Sequence, residues 1–234
     1  VIVRAAVVPH PPLLVPELVV AEVPEVRAVR RACVAAARAL AQASRRWIAV
    51  APGYGEVGPD AAGTFRGYGV DVRVTLSDDT QGEADPAMPL PALVAGWLRE
   101  QAGARGVRIQ LVDAGSTRSE CEELGARLAK EANEPVGLLV LGDGSPRNGD
   151  RAPGRPDDRA PAFEQAVHAA LASADPTALL ALDESLAREL DADGLVAWQV
   201  LAGAAAGRTW RCGHSELLVP FGVGYHIAVW DPLP

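Results

Sequence analysis

A single α/β domain, with a mixed central sheet flanked by helices, is the fold class the sequence predicts. Short apolar runs alternate along the chain with longer stretches of helical periodicity, the pattern of strands feeding helices. Several of these runs are apolar on both faces, as in a buried parallel sheet, whereas the last two are separated only by Gly222-Val223, as in a hairpin. The 234 residues, 49% of them apolar, suffice for a core without disulfides. Neither a repeat nor a linker divides them, so one domain is expected over 1–234.

Taken in order, Ile2 to Val8 reads as a strand that stops at Pro9-His10-Pro11-Pro12, because proline fixes φ and removes a backbone donor. Pro24 to Ala43 carries Val26, Val29, Cys33 and Leu40 on one helical stripe, with Arg27, Arg30, Arg31 and Arg38 off it. Trp47 to Ala51 is a short strand, Val70 to Leu76 alternates as another, Leu90 to Gln101 reads as a helix and Val107 to Val112 as a strand. Ser119-Glu120-Cys121-Glu122 has the spacing of a capping box and predicts a helix to about Glu131. Pro135 to Leu141 is a buried strand, followed over 142–158 by the longest irregular stretch of the chain, a candidate pocket lid or else a disordered insertion. Helices are expected over Pro161 to Ala172, Pro176 to Leu190 and Gly194 to Ala206, then strands over Glu216 to Phe221 and Gly224 to Trp230.

The net charge of −8 argues against a general nucleic-acid binder, which needs a basic surface. No apolar stretch has the length of a membrane span, and the opening residues lack the pattern of an export signal. Three cysteines, Cys33, Cys121 and Cys212, lie far apart, so neither a disulfide framework nor a zinc knuckle is indicated and a reducing cytoplasm is the expected location.

His10 is the residue that carries most chemistry. A single imidazole in a stiff loop just beyond a strand suits a metal ligand or a proton-transfer group, since α/β sheets place sites outside the carboxyl ends of their strands. Asp143, bracketed by glycines after the strand ending at Leu141, is a candidate polar pocket residue, and Arg147 on the same loop could hold an anion. His168 pairs with Glu164 at helical spacing as an exposed Glu-His pair, His214 falls in a turn near Cys212, and His226 alternates with Ala228 and Trp230 as a core histidine. Ser145 lacks the G-x-S-x-G elbow of a hydrolase, and no phosphate-binding loop is present.

The run Ile2-Val3-Arg4-Ala5-Ala6-Val7-Val8-Pro9-His10-Pro11-Pro12-Leu13-Leu14-Val15-Pro16-Glu17 resembles the first motif of the class III extradiol ring-cleavage dioxygenases, in the superfamily of their catalytic subunits. That resemblance implies the extradiol dioxygenase-like α/β fold and a non-haem Fe(II) held by two histidines and a carboxylate. His10 takes the place of the first ligand and Asp193 that of the carboxylate, although an aspartate before a helix also serves as a cap. Where the family has its second histidine this chain has Val50-Ala51-Pro52-Gly53-Tyr54-Gly55, and where it has an acid/base histidine this chain has Gly142-Asp143-Gly144-Ser145-Pro146-Arg147. Tyr54, Asp143, Ser145 and Arg147 thereby become the candidate substrate-binding residues. Fe(II), another divalent metal or none remain open. Two functions follow: a metal-dependent enzyme acting on a small aromatic or oxygenated compound, or a non-catalytic relative binding a small molecule or a protein. The resemblance also implies a homodimer.

Overall fold

The structure, a computed structural model, describes residues 1–21 and 23–234. The strands are β1 (Ile2–Val8), β2 (Arg46–Pro52), β3 (Glu56–Val57), β4 (Ala62–Thr64), β5 (Arg73–Thr75), β6 (Ala84–Asp85), β7 (Gly106–Val112), β8 (Val136–Leu141), β9 (Trp210–Leu218) and β10 (Tyr225–Pro232). The helices are α1 (Pro24–Ala43), α2 (Leu90–Ala102), α3 (Arg118–Glu131), α4 (Ala160–Ser173), α5 (Pro176–Leu180), α6 (Glu184–Glu189) and α7 (Leu195–Ala205).

Seven strands form the main sheet in the order β3-β7-β2-β8-β1-β10-β9. The central four, β7, β2, β8 and β1, run parallel, and β3, β10 and β9 join by antiparallel pairing. The sheet is therefore mixed and flanked by helices, as the sequence predicts. Alternate residues of β1, β2 and β8 enter two cores, whereas β7 buries Val107, Ile109 and Leu111 on one face and carries Arg108 and Gln110 on the other. Val7, Ile48, Val50, Leu138 and Val140 face the side of α3 to α7, whereas Ala6, Val8, Ala49, Ala51, Leu139 and Leu141 face α1, α2 and the small sheet. This double burial is why β1, β2 and β8 carry apolar residues on both faces.

Six of these seven helices have a proline or a side-chain cap where they start, and α7 has neither. Pro24 occupies the first turn of α1, where its missing N–H costs nothing, and Val26, Val29, Cys33, Ala36, Ala37 and Leu40 are buried. Every residue of α7 is buried, and it packs against α3 through two glycines. A Cβ at Gly203 would sit 2.0 Å from the Glu122 carbonyl oxygen and one at Gly125 2.0 Å from that of Val200, so the two backbones nearly touch.

Several expectations need correction. The capping box belongs to Thr117 and Glu120, not to Ser119 and Glu122. The strand expected over 70–76 shortens to β5 and joins a separate sheet of order β5-β4-β6. The helix expected over 176–190 is two helices, each capped by its own aspartate, Asp175 and Asp183. The penultimate strand begins at Trp210 and ends at Leu218, which moves His214 from a turn into β9 and makes Pro220–Gly222 a 3-10 turn. The stretch 142–158 has neither helix nor strand but is tied down by backbone bonds: Gly144 N–H to the Gly224 oxygen, Gly224 N–H to that of Ser145 and Asn148 N–H to that of Gly222. No helix of the described residues is long and apolar enough to cross a membrane.

Candidate functional site

Three chain segments meet at the carboxyl edge of the parallel strands. β1 ends at Val8 and β8 at Leu141, and Gly142 N–H bonds the Val8 carbonyl, so the residues just beyond both strands are neighbours. His10 N–H then donates to Asp143 Oδ1 at 2.8 Å. The third segment leads into α7. Asp143 N–H donates to Asp193 Oδ1 at 3.1 Å, and Gly194 N–H returns a bond to the Asp143 carbonyl at 2.9 Å. Asp193 does not cap α7; its carboxylate reaches across to the next segment instead.

The His10 imidazole lies between the two carboxylates. Nδ1 is 3.7 Å from Asp143 Oδ1 and Nε2 is 4.0 Å from Asp193 Oδ2, both too long for a hydrogen bond. The side chain is only 9% exposed, and Nδ1 is buried with no partner. Buried polar atoms without a partner are uncommon, and among the described residues Trp198 Nε1 and His226 Nδ1 share the condition; His10 differs in standing at the edge of the sheet beside a half-exposed carboxylate. Asp193 carries the most perturbed group of the cluster: desolvation pushes its carboxyl up to about 6, His10 opposes the shift, Asp143 adds to it and the Asp143 N–H opposes it. Asp143 extends its influence below the cluster. Burial raises the Cys33 thiol and the Tyr225 phenol, and in both the charge of Asp143 is the second cause.

Beside Asp193 opens a cavity of about 250 Å³ whose walls include Ser116, Glu184, Asp191, Asp193, Leu195 and Gln199. Glu184 is paired with Arg118 and Asp191 with Arg147, which leaves Asp193 Oδ2 as the carboxylate oxygen turned toward His10. The larger cavity of about 530 Å³ lies at the opposite, amino edge, lined by Arg46, Gly106 and Val136, and shares nothing with this cluster.

Of the candidates named from sequence, His10, Asp143 and Asp193 are brought together. Arg147 pairs with Asp191 of the cavity wall, its Nε 2.8 Å from Asp191 Oδ2, and does not itself line the cavity. Ser145 points inward: it is fully buried and its hydroxyl donates to the Leu190 carbonyl at 2.7 Å. Tyr54 follows β2 on the same edge with its side chain 78% exposed, outside the contacts that tie the cluster. Cys212 and His214 face opposite sides of β9, since Cys212 is in register with Trp230 and His214 with Val229.

Glu164 is the functional-looking residue that the sequence pattern misplaces. It is fully buried rather than paired with His168 on a surface: Oε2 meets His226 Nε2 at 2.5 Å and Oε1 accepts Ser145 N–H at 2.6 Å. Gly144 and Gly224 make room for this carboxylate, because a Cβ at either would fall within 2.4 Å or 2.1 Å of Oε2. Its position on the stripe Ala160, Phe163, Val167, Ala170 and Leu171 was the available signal. His168 instead lies 3.3 Å from the Ser215 hydroxyl, and burial lowers its pKa with His226 the second cause.

The iron centre that the opening motif implies needs more than this donor set contains. The cluster supplies one imidazole and two carboxylates, and each carboxylate already uses Oδ1 for a backbone N–H. The place of a second imidazole holds Gly53 and the exposed Tyr54. Among the described residues no group of three or more His, Cys, Asp or Glu is placed to hold a metal ion. A two-histidine, one-carboxylate centre does not fit these residues.

Fold and site together define a single-domain α/β protein with a polar cluster at the carboxyl edge of a mixed sheet. Among solved structures, the chain is similar to the uncharacterized protein JW3007 from Escherichia coli K12, at 15% identity and a TM-score of 0.53, over 98% of this chain and 99% of that one. At that identity the likeness concerns the fold. No protein-family model and no curated protein matches the chain.

Proposed function

We propose that this protein is a divergent relative of the class III extradiol dioxygenases that binds a small oxygenated molecule at the His10–Asp193 edge without cleaving a ring. The observation that carries the reading is the His10 imidazole, buried between two carboxylates with neither ring nitrogen within hydrogen-bond distance of them. A ligand hydroxyl in the adjoining cavity can donate to the Asp193 carboxylate, while Leu195, Val196, Ala187 and Ala192 offer an apolar wall to its body; His10 does not line that cavity and acts on the ligand through Asp193. Asp193 sets the protonation of the pair: below about pH 6 its carboxyl can donate, above it only accepts. Ring cleavage is left out of the proposal because the residues supply one imidazole where an iron triad needs two.

A second reading, a metal-dependent enzyme, would need the two side chains to close up, because the 4.0 Å between His10 Nε2 and Asp193 Oδ2 exceeds the separation of about 3–3.5 Å expected of neighbouring ligands at about 2.0–2.2 Å from one divalent ion. The same preparation tests both readings. Protein purified without chelator is analysed for iron, assayed for catechol consumption and screened by thermal shift against catechol and simple hydroxybenzoates. Stabilisation by a hydroxylated aromatic, lost in Asp193→Ala and accompanied by no ring-cleavage product, supports the proposal. Stoichiometric iron that disappears in His10→Ala, together with catechol consumption, overturns it in favour of the second reading.

A further inference from the structure

The outermost strand of the main sheet has a neighbour on one side only. β9 is nine residues long, ends the strand order and pairs with β10, so its other edge presents a row of backbone donors and acceptors to solvent. A strand in that position is a template for a further strand, and its side chains decide which one.

The register of β9 contains one irregularity, and it determines the answer. Trp230 pairs with Cys212 and Val229 with His214, so Gly213 is an inserted residue that resets the alternation. Arg211, aligned with Asp231, His214 with Val229 and Glu216 with Ile227 therefore share one face, although 211 and 214 differ by an odd number. Trp210, Cys212, Ser215 and Leu217 share the other, in register with Pro232, Trp230, Ala228 and His226.

We infer that β9 pairs antiparallel with β9 of a second copy of this chain, about a two-fold axis between Gly213 and His214. In that register Arg211 lies opposite Glu216 of the second copy, Cys212 opposite Ser215 and Trp210 opposite Leu217, and each opposed pair belongs to the same face. Moving the axis by half a residue toward the carboxyl end, onto His214, sets Arg211 against Leu217 on opposite faces, which a pleated ribbon does not allow. Other registers also oppose like faces, such as an axis between Cys212 and Gly213 that sets Arg211 against His214; the one chosen is the register that sets Arg211 opposite a carboxylate, and the two-fold repeats that pairing, as opposite charges across a ladder stabilise it. Both side chains are available: Arg211 is 65% exposed with Asp231 at 3.3 Å, and Glu216 is 41% exposed with only the His214 ring at 3.7 Å. A single edge ribbon is small beside the ~1,200–2,000 Å² of stable interfaces, so the dimer is expected to dissociate in the micromolar range.

Sedimentation velocity from low micromolar to several hundred micromolar protein tests this on four chains: the wild type, Glu216→Arg, Arg211→Glu and the double exchange. The wild type is expected to dimerise with concentration, and either single charge reversal to weaken the dimer by about tenfold or more through like charges set opposite one another. The double exchange restores complementarity and is expected to return the wild-type constant, which also shows that the single variants fold. A wild type that stays monomeric throughout overturns the inference. So does a dimer that ignores the single reversals, or one that the double exchange fails to restore.

Discussion

Two histidine–carboxylate clusters flank the same loop. Ser145, two residues along the loop from Asp143, donates its N–H to Glu164, whose other oxygen meets His226 at 2.5 Å with both side chains fully buried. Asp143 itself accepts the His10 N–H, yet the His10 ring stands 3.7 Å and 4.0 Å from its two carboxylates, one of which is half exposed. The residue types are alike; the bonding differs. In the inner cluster the carboxylate bonds the ring directly and closes the space, with glycines at 144 and 224 admitting it, and only His226 Nδ1 is left without a partner. In the outer cluster backbone N–H groups consume one oxygen of each carboxylate and leave the ring nitrogens to whatever enters from the edge. The inner pair fixes the loop, and the outer one is the part of the molecule left free to bind.

The sharpest way to break that contrast is to cut the inner pair. Glu164→Leu strips His226 and the Ser145 N–H of their partner inside the core, and removing one member of a buried pair is expected to cost about 3–5 kcal/mol. Chemical denaturation measures it, and a loss below about 1 kcal/mol would show that the inner pair does not hold the loop. Asp143→Ala comes next. It leaves the His10 N–H without its acceptor, for an expected loss of about 1–3 kcal/mol by the same measurement.

How much of this could be read from the chain depends on what kind of signal each part leaves. β2 and β8 are apolar runs, β1 is one interrupted by Arg4, β7 alternates Val107, Ile109 and Leu111 with Arg108 and Gln110, and all four stand where the sequence puts them, whereas β3, β4 and β6 are two or three residues each and have no periodicity to read. Thr117 and Ser119 both precede a glutamate by three residues; the structure uses Thr117 because the turn around Asp113, which binds the N–H groups of Gly115 and Ser116, delivers the chain to a helix two residues earlier. His10, Asp143 and Asp193 were legible because each borders a strand end or a helix start, positions that local sequence marks. The Glu164–His226 bond joins residues 62 apart in sequence, and nothing local in either stretch announces the other.

Milder changes sharpen the outer half of the comparison. His10→Ala removes a ring whose nitrogens bond neither flanking carboxylate, so stability is expected to fall by only about 1 kcal/mol, mostly through lost packing. Its distinctive consequence is electrostatic. His10 is the side chain that opposes the upward shift of Asp193, so the Asp193 carboxyl should titrate higher in the variant than its value of about 6 in the wild type, a change that carboxyl-carbon NMR reads directly. An unchanged titration would mean that the imidazole and the carboxylate do not sense each other.

The smallest effect expected is Asp193→Asn, and pH gives it a signature. The fold raises this carboxyl from 3.8 to about 6, so it prefers the protonated form, and the associated stability is complete below about pH 4 and lost as pH climbs through about 6. Asparagine retains an acceptor for the Asp143 N–H but cannot ionise. The variant should therefore match the wild type in mild acid and exceed it at pH 7 to 8, by less than about 1 kcal/mol because water screens a half-exposed carboxyl. Thermal unfolding of both proteins across that range gives the difference. A constant offset at every pH would assign the change to packing alone and remove the desolvated carboxylate from the description of the open cluster.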